Sequence, residues 1–199
     1  MNSKEERGIF VNEKKFDPKK LKKLNNSQRL KDIPVAYILD KLELEQSNVF
    51  VDIGAGTAFF SIAFLQQAKP TSIYACDIST TMLDWIKENI VPEYPSIYPV
   101  KSEEASVPLG DEIADLIFFI NLHHELESPN QTLEEAFRIL KVGGKALVID
   151  WKKQDMAEGP PTHIRCVAEE VGNQMEKAGL KHIQISNKLE KHFFVIGQK

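Results

Sequence analysis

The stretch "VFVDIGAGTAFFSIAFL", Val49–Leu65, decides how the rest of the chain is read. Its first five residues are apolar at four positions, the pattern of a strand buried on both faces. Two glycines one residue apart, Gly54 and Gly56, break that strand, and the chain runs directly into an apolar helix. In an open α/β sheet, ligands bind beyond the carboxyl ends of the strands. Glycine has no Cβ, so a ligand can lie against the bare backbone of Gly54-Ala55-Gly56. A dinucleotide-binding turn places a third glycine where this chain has Phe59. Asp52, at the end of the strand, repels a phosphate and attracts an ammonium or sulfonium ion. Asp77 follows Gly56 by 21 residues, an offset at which a carboxylate accepts both hydrogen bonds of a ribose diol. Together these residues predict a cationic adenosine cofactor rather than a pyrophosphate.

Outward from this turn, strand-like and helical patterns alternate. Apolar runs occupy 49–53, 72–78, 114–121 and 145–151, with helical periodicity at 57–68, 79–90 and 129–140. Alternation at this spacing implies right-handed βαβ units and a parallel sheet. Ser79 is placed to cap the second of these helices, and Ser128-Pro129 has the form of a cap followed by proline at the first helical position. The third helix is expected to end at Lys141, with Gly143-Gly144 as its stop. Beyond it, "EEVGNQMEKAGL" reads as a helix stopped at Gly179. "KHIQISNKL" and "KHFFVIGQK" then read as two strands joined by a short turn around Leu189–Lys191, necessarily antiparallel. Before the sheet, "FDPKKLKKLNNSQRLKDIPVAYILDKLEL" reads as one or two short helices, with Ile33, Tyr37, Ile38 and Leu42 facing the sheet.

The 199 residues carry a net charge of −4. Residues 1–32 hold eight Lys and two Arg against five acids, which leaves −9 on the remainder. A basic arm can meet nucleic acid, a membrane surface or an anionic substrate, but a solvated basic helix is the simpler reading. Two distant cysteines, Cys76 and Cys166, have no metal-ligand spacing and suit a reducing cytoplasm. The N-terminal residues lack the apolar core of a signal peptide, and no apolar run is long enough to span a bilayer. The chain is expected to form one domain, 1–199, with residues 1–32 as a basic helical arm acting as a lid.

Five segments in order, "VDIGAGTAFF", "ACDIS", "EEASVPL", "IADLIFFINLHHEL" and "RILKVGGKALVIDW", resemble class I S-adenosylmethionine-dependent methyltransferases, in particular the small-molecule group that includes the ubiquinone/menaquinone-biosynthesis type. The resemblance covers about residues 34–199. It implies a Rossmann-like, doubly wound, mostly parallel seven-stranded sheet of order 3-2-1-4-5-7-6 with an antiparallel C-terminal hairpin strand. It also implies S-adenosyl-L-methionine as cofactor and S-adenosyl-L-homocysteine as product. Asp52 with the backbone of Gly54, Ala55 and Gly56 would hold the methionine end, and Asp77 the ribose. Ile78 and Met82 would lie against adenine, Glu103 would read the adenine amino group, Glu104 would follow with its backbone N–H, and Asn121 would line the methionine part. Ala58 stands where the family usually has a third glycine, and Glu103 is longer than the usual aspartate.

Methyl transfer from a sulfonium is an in-line displacement that asks mainly for positioning and desolvation. A base is needed only when the nucleophile is protonated. "NLHHEL" supplies His123 and His124 as candidate bases, and Trp151, with Asp150 and His163, is a candidate wall of the acceptor pocket. Three consecutive side chains at His123-His124-Glu125 point different ways and make no metal site. Asn121-Leu122-His123-His124 replaces the Asn/Asp-Pro-Pro-Tyr/Phe-like motif of amino-methylating enzymes, and two scattered cysteines do not suit arsenic. The expected activity is methyl transfer to a small molecule, by a monomer or homodimer. The alternatives are an RNA or protein methyltransferase guided by the basic arm and a non-catalytic S-adenosylmethionine-binding domain.

Overall fold

A computed structural model describes residues 21–199, so residues 1–20 of the expected arm lie outside the described residues. The rest of the arm forms two short helices, α1 (Leu21–Leu24) and α2 (Gln28–Asp32), followed by α3 (Val35–Leu42). Lys22 and Lys23 are exposed, as a solvated basic face requires. Ile33, Ile38 and Leu42 are buried against the sheet, and Tyr37 meets Phe194 edge-on at 6.2 Å.

The sheet comprises β1 (Val49–Ile53), β2 (Ser72–Asp77), β3 (Ile97–Lys101), β4 (Ala114–Ile120), β5 (Leu140–Trp151), β6 (Lys181–Ser186) and β7 (His192–Gln198). Its order is β3-β2-β1-β4-β5-β7-β6, as expected. The first five strands are parallel, and β7 runs antiparallel to both β5 and β6. The crossover helices are α4 (Phe59–Ala68), α5 (Thr80–Asn89), α6 (Pro129–Ile139) and α7 (Ala168–Lys177).

Alternation along the buried strands sorts the core into two layers. Phe50, Phe118, Ile149 and Phe194 pack under α3 and α4, where Phe64 stacks on Phe118 at 4.5 Å. Val51, Phe119, Val148 and Phe193 pack against α6 and α7.

Two local expectations need correction. The third predicted helix ends at Ile139, and Leu140 already belongs to β5, so Gly143-Gly144 is not a helix stop. The glycines lie in a bulge, where Ala114 pairs with Leu140 but Leu116 pairs with Lys145. A Cβ on Gly144 would come within 2.9 Å of the carbonyl oxygens of Ala114 and Lys141. Ser128 makes no side-chain cap. Glu104 fills that place from the β3–β4 loop, accepting the backbone N–H groups of Glu127 and Ser128 on Oε1 at 2.8 and 2.7 Å. Ser79, by contrast, caps α5 as expected, its hydroxyl accepting from Met82 N at 3.4 Å.

Candidate functional site

The carboxyl ends of β1, β2, β4 and β5 share one edge with the start of β7, because β7 runs against β5 and pairs His192 with Trp151. At this edge the glycine turn bends back onto β2. The N–H groups of Gly54 and Ala55 both donate to Cys76 O, at 2.9 and 3.0 Å. Gly54 has φ +72°, and a Cβ there would lie 2.7 Å from Leu122. Ala58 takes a left-handed conformation, φ 57°, just before α4, which explains why a glycine suits that position.

Asp77 ties this turn to the next helix. Its Oδ2 accepts from Gly56 N and its Oδ1 from Ser79 N, both at 2.8 Å. Burial raises its pKa, outweighing the lowering by these bonds and by the Lys101 charge. Asp52, 3% exposed, accepts the Ser61 hydroxyl on Oδ2 at 2.6 Å. Burial, with the Asp77 charge, pushes Asp52 up to about 7 against the pull of Ser61 and Arg29. Met82 is buried at the start of α5, with Ile78 half-buried before it.

The described part of the arm packs on this turn. Leu24 lies 3.2 Å from where a Cβ on Gly56 would be. The Thr57 hydroxyl donates to Asn25 Oδ1 at 2.9 Å. The Arg29 guanidinium sits 4.7 and 5.4 Å from the ring centroids of Phe60 and Phe59.

After β4, Asn121 adopts φ 57°, a conformation asparagine tolerates better than most residues. Its Oδ1 is buried and has no hydrogen-bond partner among the described residues. A glycine turn, two buried carboxylates and an orphaned amide oxygen suit a cationic adenosine ligand.

The two histidines diverge. His123 Nε2 meets Gln174 Oε1 of α7 at 2.7 Å, and burial lowers its pKa. His124 turns to Asp150, which is 0% exposed. Asp150 Oδ1 accepts from His124 Nδ1 at 2.8 Å and from Trp151 N at 2.7 Å, and Oδ2 accepts from His124 N at 2.9 Å. Burial lowers the His124 pKa, but the hydrogen bond and charge of Asp150 outweigh it and the net shift is upward. The Nδ1–H bond to Asp150 leaves Nε2 as the basic nitrogen.

Trp151 lies 4.3 Å from the His192 ring, and the Arg165 guanidinium stands 5.9 Å over the indole. Buried Arg165 donates to the carbonyls of Lys152, Gln154, Glu158 and Pro160 at 2.7–3.2 Å, which shapes the segment after β5. His192 is 1% exposed, and neither ring nitrogen has a hydrogen-bond partner among the described residues. Lys191 bridges this region, reaching Asp32 at 3.3 Å and Glu158 at 2.9 Å. His163 is exposed. Glu103 is exposed and pairs its backbone with Ser106, while the Glu104 side chain is committed to α6.

The structure thus gathers Asp52, Gly54, Ala55, Gly56, Asp77, Ile78, Met82 and Asn121 along one edge, with His124 and Trp151 beside them. His123 points into α7. Sequence reasoning missed Ser61, Arg29 and His192, which meet their neighbours across elements, and Arg165, which gathers carbonyls of the segment after β5. Among the described residues no group of three or more metal-ligating side chains converges.

Comparisons with known proteins agree with this fold. Residues 51–148 match a family model described as "Methyltransferase domain". A solved S-adenosylmethionine-dependent methyltransferase from Aquifex aeolicus superposes with a TM-score of 0.84 at 30% identity, covering 92% of this chain and 98% of that one. The tRNA N(3)-cytidine methyltransferase METTL2 of Danio rerio is 31% identical over 128 residues, 60% of this chain and 35% of the relative. The demethylmenaquinone methyltransferase of Chlamydia muridarum is 29% identical over 121 residues, 61% of this chain and 51% of the relative. The chain therefore spans about a third to a half of the length of these two relatives. From its sheet order, its glycine turn and its near-complete match to the Aquifex aeolicus structure, the chain belongs to the class I S-adenosylmethionine-dependent methyltransferases.

Proposed function

We propose that the chain binds S-adenosylmethionine along the carboxyl edge of β1, β2 and β4 and transfers its methyl group to a small-molecule acceptor beside β5. The observation that carries the cofactor reading is Asp77, whose two oxygens hold Gly56 N and Ser79 N at 2.8 Å. That arrangement presents a pre-positioned carboxylate next to bare backbone, as a ribose diol requires. Asp52 supplies negative charge for the methionine ammonium, and Ile78 and Met82 give adenine an apolar support. Asn121 Oδ1 gains the hydrogen-bond donor it lacks. Glu103 and the backbone of Glu104 remain candidates for the adenine rim.

The bound cofactor supplies an activated methyl group on a sulfonium. The chain's own residues hold it, exclude water and manage the acceptor's proton. His124 is placed to take that proton. Asp150 fixes its ring and raises its basicity, so Nε2 can accept from an acceptor hydroxyl or amine. Trp151 walls the pocket, and His123 braces the loop through Gln174.

A small acceptor is supported by α1 and α2 packing over the glycine turn, the behaviour of a lid, and by the similarity to a demethylmenaquinone methyltransferase. The exposed Lys22 and Lys23 favour the second reading, an RNA acceptor like that named for the cytidine methyltransferase relative. Calorimetric titration with S-adenosylmethionine, S-adenosylhomocysteine and NAD tests the cofactor. Binding of the first two but not NAD, lost in Asp77→Ala, is expected; no binding of either adenosyl sulfur ligand overturns the reading. RNA binding that falls steeply with salt, together with methylated cytidine in the product, would replace the small acceptor by RNA.

A further inference from the structure

A buried polar atom without a partner costs free energy and marks where a partner belongs. Among the described residues, four buried side-chain nitrogens and oxygens have none: Asn121 Oδ1, His123 Nδ1 and both ring nitrogens of His192. All four belong to residues at the carboxyl edge of β4 and β5. Asn121 and His123 follow β4, and His192 opens β7. Strand β5 runs between β4 and β7, and its end carries Asp150 and Trp151. The unpartnered atoms therefore flank the strand end that fixes His124. The methionine part of the cofactor accounts for Asn121, and His123 has its other nitrogen on Gln174. His192 has neither nitrogen satisfied.

The neighbours of His192 do not fill that role. It pairs in register with Trp151, whose indole lies 4.3 Å from the imidazole at 43°. The charges that act on the ring are Asp150 of β5, Asp32 and Arg29 of α2, and adjacent Lys191. Asp150 is engaged with His124 and Trp151 N, Asp32 with Lys191 and Gln28, and Arg29 with Leu24 O. Burial outweighs the two carboxylates and lowers the pKa of the ring to about 4, so it is uncharged at neutral pH. An uncharged imidazole offers one N–H donor and one lone pair. It suits a hydroxyl or a carbonyl and supplies no charge to hold a carboxylate or phosphate. Packing alone does not call for histidine here: a phenylalanine would meet Trp151 as well and leave no nitrogen unpaired.

We propose that His192 is a specificity-determining residue, whose imidazole hydrogen-bonds a hydroxyl or carbonyl of the methyl acceptor other than the atom that is methylated. This rests on the reading of the site as a small-molecule methyltransferase. The acceptor then lies across the end of β5, with the methylated atom toward His124 and a second, uncharged polar group toward β7. Because His192 is buried, the acceptor reaches it when α2 and the segment after β5 part. Their tie is Lys191, whose contacts to Asp32 and Glu158 are partly exposed ion pairs of small strength.

The test is NMR titration of the full chain, loaded with S-adenosylhomocysteine at pH 7, with four probes. Phenol carries a hydroxyl, acetophenone a carbonyl, toluene neither, and benzoate a charge. Phenol or acetophenone is expected to bind about tenfold more tightly than toluene or benzoate and to move the ring-nitrogen resonances of His192. His192→Phe should abolish that preference while leaving toluene affinity within about two-fold. Its Tm should not fall, and its affinity for S-adenosylhomocysteine should not change, which separates acceptor recognition from a structural role. His192→Gln, which keeps a donor and an acceptor, should restore part of the preference. Equal affinity of wild type for phenol, acetophenone and toluene, binding of none of them, or a preference that survives in His192→Phe overturns the assignment. Equal weakening of every probe in His192→Phe, with a lower Tm, also overturns it and makes His192 a packing residue. If neither variant folds, wild type decides: His192 nitrogens that no probe moves overturn the proposal. Failure of wild type to bind S-adenosylhomocysteine defeats the cofactor reading and this assignment with it, a result distinct from loss of probe preference in a loaded protein.

Discussion

Replacing Asp150 by asparagine should be among the most damaging conservative changes in the chain. The carboxylate is fully buried and accepts three hydrogen bonds, two on Oδ1 and one on Oδ2. An amide has one acceptor oxygen. Placed at Oδ1, it keeps His124 Nδ1 and Trp151 N but turns its NH2 against the backbone N–H of His124. One charge-assisted bond is then lost, at about 1.5–3 kcal/mol. The two that survive become neutral and about half as strong. The sum is about 3–6 kcal/mol, or a fall in Tm of about 6–24 °C for a chain of this size. The loss should depend on pH. The folded-state pKa of His124 is raised above 6.5, so its stabilising contribution is fully present below 6.5 and disappears as pH rises through the folded value. Without Asp150, burial governs the imidazole and its pKa falls. The gap between wild type and Asp150→Asn should therefore be wider at pH 5.5 than at pH 8.5. Urea unfolding at both pH values, with the His124 ring followed by NMR, measures each quantity. A loss below about 1 kcal/mol, or a His124 titration that does not move down, would refute the reasoning.

Further outcomes follow from other residues. Glu104→Ala should cost about 1–2 kcal/mol in urea unfolding, because the first turn of α6 loses the acceptor of two N–H groups. Asp77→Ala should weaken S-adenosylhomocysteine about 100-fold by calorimetry, since a bidentate charged contact is lost. His192→Phe removes two orphaned nitrogens and should be neutral or stabilising at pH 7. It should also change the pH dependence of stability. Burial lowers His192 to about 4 from 6.5, so its effect favours folding increasingly as pH rises from about 4 to 6.5. Asp52, raised to about 7 from 3.8, acts oppositely over about pH 4–7. The variant, without the opposing effect of His192, should lose stability more steeply across that range than wild type in urea titrations. Ala58→Gly relieves about 1–2 kcal/mol of left-handed strain but loses a buried methyl and adds unfolded-state entropy, so unfolding should place it within about 1 kcal/mol of wild type.

The features legible in the sequence are those whose cause is local. The run Val49–Ile53, the turn at Gly54 and Gly56, and the cap at Ser79 each act within a few residues, and the structure places them as expected. β3 leaves no clear apolar run because Ile97–Lys101 is short, sits at the sheet edge and contains Pro99. Gly143-Gly144 resembles a helix stop because a glycine pair serves a bulge as readily as a C-terminus. Glu104 reads as a cofactor neighbour, but its side-chain partners are the N–H groups of Glu127 and Ser128, more than 20 residues away. Ser61, Arg29 and His192 leave no spacing signal at all. Their positions emerge only once α4, α2 and β7 meet at one edge, because polar pairing across elements has no period in sequence.

The placement of β7 also governs how the chain must be assembled. It is the last strand of the sheet along the chain, yet it sits between β5 and β6. Until residues 192–198 have left the ribosome, β5 has an open edge along Lys145–Trp151, much of it apolar and, in the finished protein, buried. An apolar open edge is a template for pairing with another nascent chain. The hairpin that closes it also carries Lys191, which ties Asp32 to Glu158 and so links α2 to the segment after β5. The last strand therefore completes the sheet and the tie from α2 to the segment after β5 in one late step, and a chain stalled before β7 should keep that edge of β5 open to pairing.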